Sequence, residues 1–202
     1  MRKVILQIGV SLDGFIQGSN GDLAWMFIDD ELWQNIDELL GTVDVVLFGR
    51  AAYQDFEQYW PTAATNPKSP QNEVDFAHWI EKTPKIVFST TLSSADWANS
   101  KLVKSDVADE IATLKQQLGK HILLFGGAGI AQTFMKLGLI DEYRIKIYPV
   151  VLGDGIPLFK NGPDRNKLKL LTTRTFSSGV VEIHYQADRT ESADQPTINP
   201  KP

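Results

Sequence analysis

Short apolar runs that stop at glycine or hydroxyl residues and then give way to helix-period segments are what most restricts this chain. Val4 to Val10 and Val43 to Phe48 are such runs, as is His121 to Phe125, and shorter ones cover Lys85 to Ser89 and Lys101 to Lys104. A strand that is apolar nearly throughout is buried on both faces, which is the condition of strands in a parallel sheet covered by helices. The segments between supply those helices. Asp29-Asp30-Glu31 opens one, with Leu32, Trp33, Ile36, Leu39 and Leu40 at helical spacing, early acids suited to the positive end of the helix dipole, and Gly41 at its end. A second is expected from about Ala52 to Trp60, where Pro61 stops it, and residues 61–71 with three prolines read as an exposed loop. Gln71 to Lys82 reads as a third. Ser105-Asp106 caps a fourth that carries Ile111, Leu114 and Leu118 on one face, and a fifth runs from the glycines at 126–129 to Leu137.

The last third changes character. Glu142 to Tyr148 alternates apolar and polar, and Leu168–Phe176 and Val180–Gln186, joined by Ser177-Ser178-Gly179, read as an antiparallel hairpin. The expected fold is therefore α/β, with a mainly parallel sheet bearing antiparallel strands at one edge. Residues 1–186 read as one domain. Residues 187–202 hold one sizeable aliphatic, Ile198, among polar residues and three prolines, and read as a disordered tail.

Composition removes several function classes. A net charge of −5 gives no general attraction to nucleic acid or to an anionic membrane surface. The absence of cysteine excludes disulfides, thiolate metal sites and cysteine nucleophiles. No signal segment or membrane-length apolar run is present, so a cytoplasmic location is expected. His78, His121 and His184 lack ligand spacing, and no metal is expected.

Ligands of open α/β sheets bind beyond the carboxyl ends of the strands, and three such ends stand out. Phe125 leads into Gly126-Gly127-Ala128-Gly129-Ile130, where backbone N–H groups at a helix N-terminus suit a phosphate; the run differs from a full dinucleotide fingerprint at Gln132, and a tight strand-to-helix turn is the alternative reading. Gly49-Arg50 follows Phe48, and its Arg is either a phosphate fork or a surface charge. Ser89, Thr90 and Thr91 follow Phe88 and either bind a phosphate or cap a turn.

Ser11-Leu12-Asp13-Gly14-Phe15-Ile16, Gly21-Asp22-Leu23-Ala24-Trp25, Phe48-Gly49-Arg50 and Phe125-Gly126-Gly127-Ala128-Gly129 occur in the order found in dihydrofolate reductases. With Val150-Val151-Leu152-Gly153-Asp154-Gly155-Ile156-Pro157-Leu158-Phe159, the pattern over residues 2–186 resembles the stand-alone bacterial dihydrofolate reductase-like proteins that share the reductase domain of riboflavin biosynthesis. The resemblance implies a three-layer fold with a central sheet of about eight strands, a homodimer, and NADPH-dependent hydride transfer to a small pterin- or pyrimidine-like substrate. It implies pyrophosphate contacts at Gly126, Gly127, Ala128, Gly129 and Ile130. Gly49, Arg50, Ser89, Thr90 and Thr91 would hold the adenosine side and its 2′-phosphate. The loop from Ile16 to Trp25 would cover the substrate, and Asp30, next to Asp29, would be the site acid. Two departures accompany it. The hydroxyl expected to support the acid is replaced by Ile145, and Gln7 stands where the riboflavin-pathway enzymes carry Lys. True dihydrofolate reduction, the riboflavin-pathway reduction itself and a non-catalytic NADPH-binding role are the alternatives.

Overall fold

The apolar runs pair into one sheet. The computed structural model describes residues 1–160 and 167–189, and among them β1 (Val4–Ser11), β3 (Val43–Gly49), β4 (Lys85–Phe88), β5 (Ser100–Val103), β6 (His121–Phe125) and β7 (Glu142–Tyr148) are mutually parallel. The hairpin β9 (Leu168–Thr175) and β10 (Val181–Ala187) adds antiparallel strands beyond β7. The eight-stranded order is β5-β4-β3-β6-β1-β7-β10-β9, so the first strand sits near the middle. A separate antiparallel pair joins β2 (Phe15–Gly18) to β8 (Gly155–Pro157).

Helices cover both faces, because alternate residues of each strand need apolar cover on opposite sides. On one face α4 (Val107–Gln116) and α5 (Ala128–Lys136) pack Ile111, Leu114, Ala131 and Phe134 against Val4, Leu6, Leu124 and Ile145. On the other, α1 (Asp30–Leu40), α2 (Arg50–Ala63) and α3 (Gln71–Lys82) pack Trp33, Ile36, Tyr53, Phe76 and Ile80 against Ile5, Phe48, Val87 and Leu123. Lys85 is buried on that side, where its ammonium donates to the carbonyls of Thr83 (3.0 Å) and Ala98 (2.8 Å) and lies over the Trp97 ring.

Several expectations are corrected. Pro61 lies inside α2, which starts at Arg50 and continues to Ala63. Proline removes one helical hydrogen bond, but Trp60 packs at a tilt of 53° against Phe76 of α3, 4.4 Å between ring centroids, and this packing favours a helical last turn. Asp106 precedes α4 in a left-handed conformation and makes no side-chain cap; the Ser105 hydroxyl donates to its carboxylate instead. Ile145, expected beside the site acid, belongs to the core on the α4/α5 face, opposite α1. On β7 it is Arg144, Lys146 and Tyr148 that share the α1 face, since a one-residue change of register exchanges the two faces. At the C-terminus Ala187 closes β10 and Arg189 pairs with Asp141 at 2.8 Å. The rest of the expected tail, from residue 190, lies outside the described residues.

Candidate functional site

Because β1, β3, β4, β6 and β7 are parallel, their carboxyl ends share one edge of the sheet. The register Phe48↔Phe125 and Gly49↔Phe88 sets Gly49, Ser89 and Gly126 side by side there. Gly49 is the N-cap of α2 and Gly127 the N-cap of α5, and neither helix has a side-chain cap, so both present first-turn N–H groups along with the positive end of a helix dipole. A Cβ added at Gly127 or Gly129 would meet nothing within 4 Å, which leaves room for a ligand against this backbone. Gly49 and Ile130 do different work: a Cβ at Gly49 would come within 3.1 Å of the Ile130 side chain, so the missing side chain lets α5 seat against β3. Arg50 is exposed at the first turn of α2 and makes no ion pair or hydrogen bond among the described residues. A cation at the positive end of a helix is unfavourable unless an anion joins it. Ser89 serves as a turn cap, its Oγ accepting the N–H groups of Thr91 (3.2 Å) and Leu92 (3.1 Å), whereas Thr90 and Thr91 are exposed.

The other half of the edge is aromatic and acidic. Asp29 is the N-cap of α1, its Oδ1 accepting the Leu32 N–H at 2.8 Å. Asp30, the first helical residue, is exposed and has no hydrogen-bond or ion-pair partner among the described residues. Just before them, Trp25 and Phe27 meet Tyr148 edge-to-face at 5.5 Å and 5.3 Å, and the Tyr148 hydroxyl donates to the Phe27 carbonyl at 2.8 Å. Burial, assisted by the nearby Asp29 carboxylate, pushes the Tyr148 phenol up to about 12. Gly9 makes this packing possible, since a Cβ there would lie 2.9 Å from the Tyr148 ring and 3.2 Å from Met26. Two residues earlier on the same face of β1, Gln7 is 9% exposed, and its Oε1 has no hydrogen-bond partner among the described residues.

The two motif segments furthest apart in sequence are clipped together beside this wall. The Ser11 hydroxyl donates to Asp13 at 2.6 Å, and the Asp13 carboxylate accepts the N–H groups of Leu152 and Gly153. The Ser11 hydroxyl and those two N–H groups hold the Asp13 carboxyl below its ordinary range. Gly155 approaches so closely that a Cβ would stand 2.2 Å from the Gln17 carbonyl, and its φ of +150° also favours glycine. Ile16, expected in the covering loop, is 8% exposed and packed in the core beneath it. Tyr148, Phe27 and Met26 did not stand out in the sequence; the signal available was the position of Tyr148 at a strand end.

Under α1 lies a buried polar group. Glu182 of β10 pairs with Arg144 (2.8 Å) and Lys146 (3.2 Å) and accepts from Asn35 of α1 (3.3 Å). Burial works against the Glu182 carboxylate, but the two cations more than offset it and hold it ionised, while burial depresses the Lys146 ammonium.

At the opposite edge of the sheet a cleft of about 690 Å³ opens between Lys3, Lys169 and Arg189. Lys3 there is paired with Glu142 and Arg189 with Asp141. Among the described residues no helix is long and apolar enough to cross a membrane, and no cluster of three metal-ligating side chains occurs.

Comparison with known proteins gives a consistent result. The RibD C-terminal domain family matches residues 2–182. The Bacillus subtilis protein YyaP, itself uncharacterized, is 39% identical over 91% of this chain and 94% of its own length. A solved protein from Shewanella sp. PV-4, provisionally assigned to riboflavin biosynthesis, superposes with a TM-score of 0.72 at 24% identity, over 93% of this chain and 99% of that one. The Thermotoga maritima diaminohydroxyphosphoribosylaminopyrimidine deaminase/5-amino-6-(5-phosphoribosylamino)uracil reductase does so with a TM-score of 0.64 at 18% identity, over 93% of this chain and 57% of that one. The two superpositions share the fold.

Proposed function

Because this chain belongs to the RibD C-terminal domain family, we propose that it is an oxidoreductase, and specifically an NADPH-dependent reductase of a small pterin- or pyrimidine-like heterocycle. The observation that carries the reading is the pair of helix N-termini at Gly49 and Gly127, uncapped by side chains, on neighbouring strand ends with an unpaired Arg50 beside them. Oriented N–H groups and a forked cation suit a dinucleotide carrying several phosphates. Gly126, Gly127, Ala128 and Gly129 would hold the pyrophosphate. Arg50, with Thr90 and Thr91, would hold the 2′-phosphate side, with Gly49 and Ser89 shaping the backbone and Ile130 fixing α5.

When bound, NADPH supplies the hydride. A hydride delivered to the carbon of a C=N or C=O bond would leave the adjacent nitrogen or oxygen in need of a proton. Asp30 is the residue we assign to deliver that proton, directly or through an ordered water. Trp25, Phe27 and Tyr148 orient the ring and keep bulk water off one side. Edge strand β9, which exposes Leu170 and Leu171, supports a homodimer as the working form. The test is a tryptophan-fluorescence titration with NADPH and NADH, followed by loss of NADPH absorbance over a panel of pterins and aminopyrimidines. Failure of both dinucleotides to bind would overturn the reading.

A further inference from the structure

The glycine run after β6 departs from a dinucleotide fingerprint at Gln132, and the structure gives that side chain other work. Gln132 lies one turn into α5, half-buried, and its Nε2 donates to the carbonyls of Pro157 (2.9 Å) and Leu158 (3.4 Å). A glycine there could make neither bond. Both acceptors stand where β8 ends. Leu158 is fully buried, shares a core cluster with Ile130, Ala131 and Phe134 of α5, and donates its N–H to the Gly14 carbonyl at 3.0 Å.

From β8 the hydrogen bonds run on to the aromatic wall. β8 pairs with β2 at Phe15↔Pro157 and Gly18↔Gly155, and the Ser19 hydroxyl donates to Asp154 at 3.0 Å. The Asp22 carbonyl then accepts both the Gly18 N–H (2.8 Å) and the indole N–H of Trp25 (3.2 Å). A two-stranded pair is marginal by itself, so β2 and β8 keep their place through outside bonds such as the Asp13 clip and the Gln132 contact. At the far end of this chain of contacts, α5 begins without a side-chain cap. A phosphate bound there would accept its free N–H groups and stiffen the turn that precedes Gln132.

We propose that Gln132 is a positioning residue that couples the two halves of the site. With the cofactor seated at the start of α5, Gln132 holds β8 docked and, through β2, keeps Trp25 at the aromatic wall. The proposal rests on the NADPH reading of the Gly127 end and adds the route by which its occupancy reaches the substrate half.

Hydrogen exchange of the full chain, followed by peptide with and without NADPH, tests this. In the wild type NADPH should slow exchange at the start of α5 and, by about fivefold or more, at Leu152, Gly153 and Leu158. Gln132→Glu keeps the length of the side chain, but an ionised carboxylate has no proton to give a carbonyl, and Gln132→Met keeps the bulk without the charge. Both variants should retain the protection at α5 and lose most of it at the three distant residues. Their NADPH affinity should fall by no more than the protection lost, because the two measure one coupling. A merely structural Gln132 would let the variants exchange faster at those residues with the NADPH effect intact, and that result would overturn the proposal. Wild-type protection confined to α5 would also overturn it while leaving the cofactor reading in place. If NADPH protects neither region, the cofactor reading falls and this inference with it.

Discussion

Asp13 and Gly153 are 140 positions apart in the chain, and the carboxylate of the first accepts the backbone N–H of the second at 2.8 Å. This bond and its companions to Leu152 and Ser11 hold the β2 and β8 segments together beside the aromatic wall. Asp13→Asn keeps the shape but replaces one acceptor oxygen with a donor. The expected outcome is a lower melting temperature and a KM raised more than kcat is lowered, measured by thermal denaturation and steady-state kinetics. The carboxyl sits below its ordinary 3.8 in the fold, so its contribution is present above that value and is lost as pH falls through the folded one. The wild-type melting temperature should therefore drop on acidification more steeply than that of the Asn variant.

Gly129→Ala separates ligand room from stability. An added Cβ meets nothing within 4 Å, and alanine is the better helix former, so stability should hold or rise by up to about 1 kcal/mol. NADPH binding should weaken by about tenfold or more if the backbone here touches pyrophosphate. A gain in melting temperature with unchanged NADPH affinity would remove the glycine from the cofactor site.

Arg50→Ala should narrow the preference for NADPH over NADH. A charge-assisted bond to the 2′-phosphate contributes about 1.5–3 kcal/mol, or roughly ten- to a hundredfold in affinity, while NADH binding should change little. Parallel fluorescence titrations of both dinucleotides read this out, and a wild type that does not distinguish them contradicts the assignment.

Asp29 and Asp30 should part company on mutation. Asp29 caps α1 through the Leu32 N–H, so Asp29→Ala should cost about 1 kcal/mol of stability. Asp30 has no such bond, so Asp30→Asn should leave the melting temperature nearly unchanged and lower turnover at least about tenfold, equivalent to about 1.4 kcal/mol in the barrier. The reverse pattern would transfer the proton-delivering role to Asp29.

Tyr148→Phe bears on alkaline stability. With the folded phenol at about 12 and its ordinary value at 10.0, the unfolded chain loses this proton first, so stability falls as pH rises across that interval. The full effect is about 2–3 kcal/mol. Denaturation followed from pH 9 to about pH 12 should show a shallower decline in the Phe variant, with burial of Tyr53 and Tyr143 leaving a residual slope.

The inner parallel strands β1, β3, β4 and β6 were legible because burial on both faces leaves a nearly unbroken apolar run, and α1 because Asp29 and the spacing from Leu32 to Leu40 mark its start and its buried stripe. The β2–β8 pair was not, since Phe-Ile-Gln-Gly and Gly-Ile-Pro carry no strand pattern and are paired by the distant Asp13 bonds. The continuation of α2 through Pro61 depends on Trp60 meeting Phe76, which no local rule anticipates. Ile145 was set beside Asp30 by counting along the motif, and only the sheet register reveals that the even-numbered neighbours, ending in Tyr148, face α1. Of the candidate site, the glycine and arginine positions were visible as strand ends. The aromatic wall was not, because Trp25, Phe27 and Tyr148 meet only after the chain has folded back over 121 positions.

The place of β1 in the strand order also sets a sequence of events during synthesis. Its two neighbours, β6 and β7, begin at His121 and Glu142, whereas β3, β4 and β5 adjoin one another and can associate as soon as they leave the ribosome. The apolar segment from Val4 to Val10 must therefore wait, unpaired and adhesive, until more than half of the chain has been made. Refolding of the complete polypeptide avoids that delay, so a chaperone that shields the nascent N-terminus should raise the yield of newly made protein more than it helps diluted, denatured protein regain its shape.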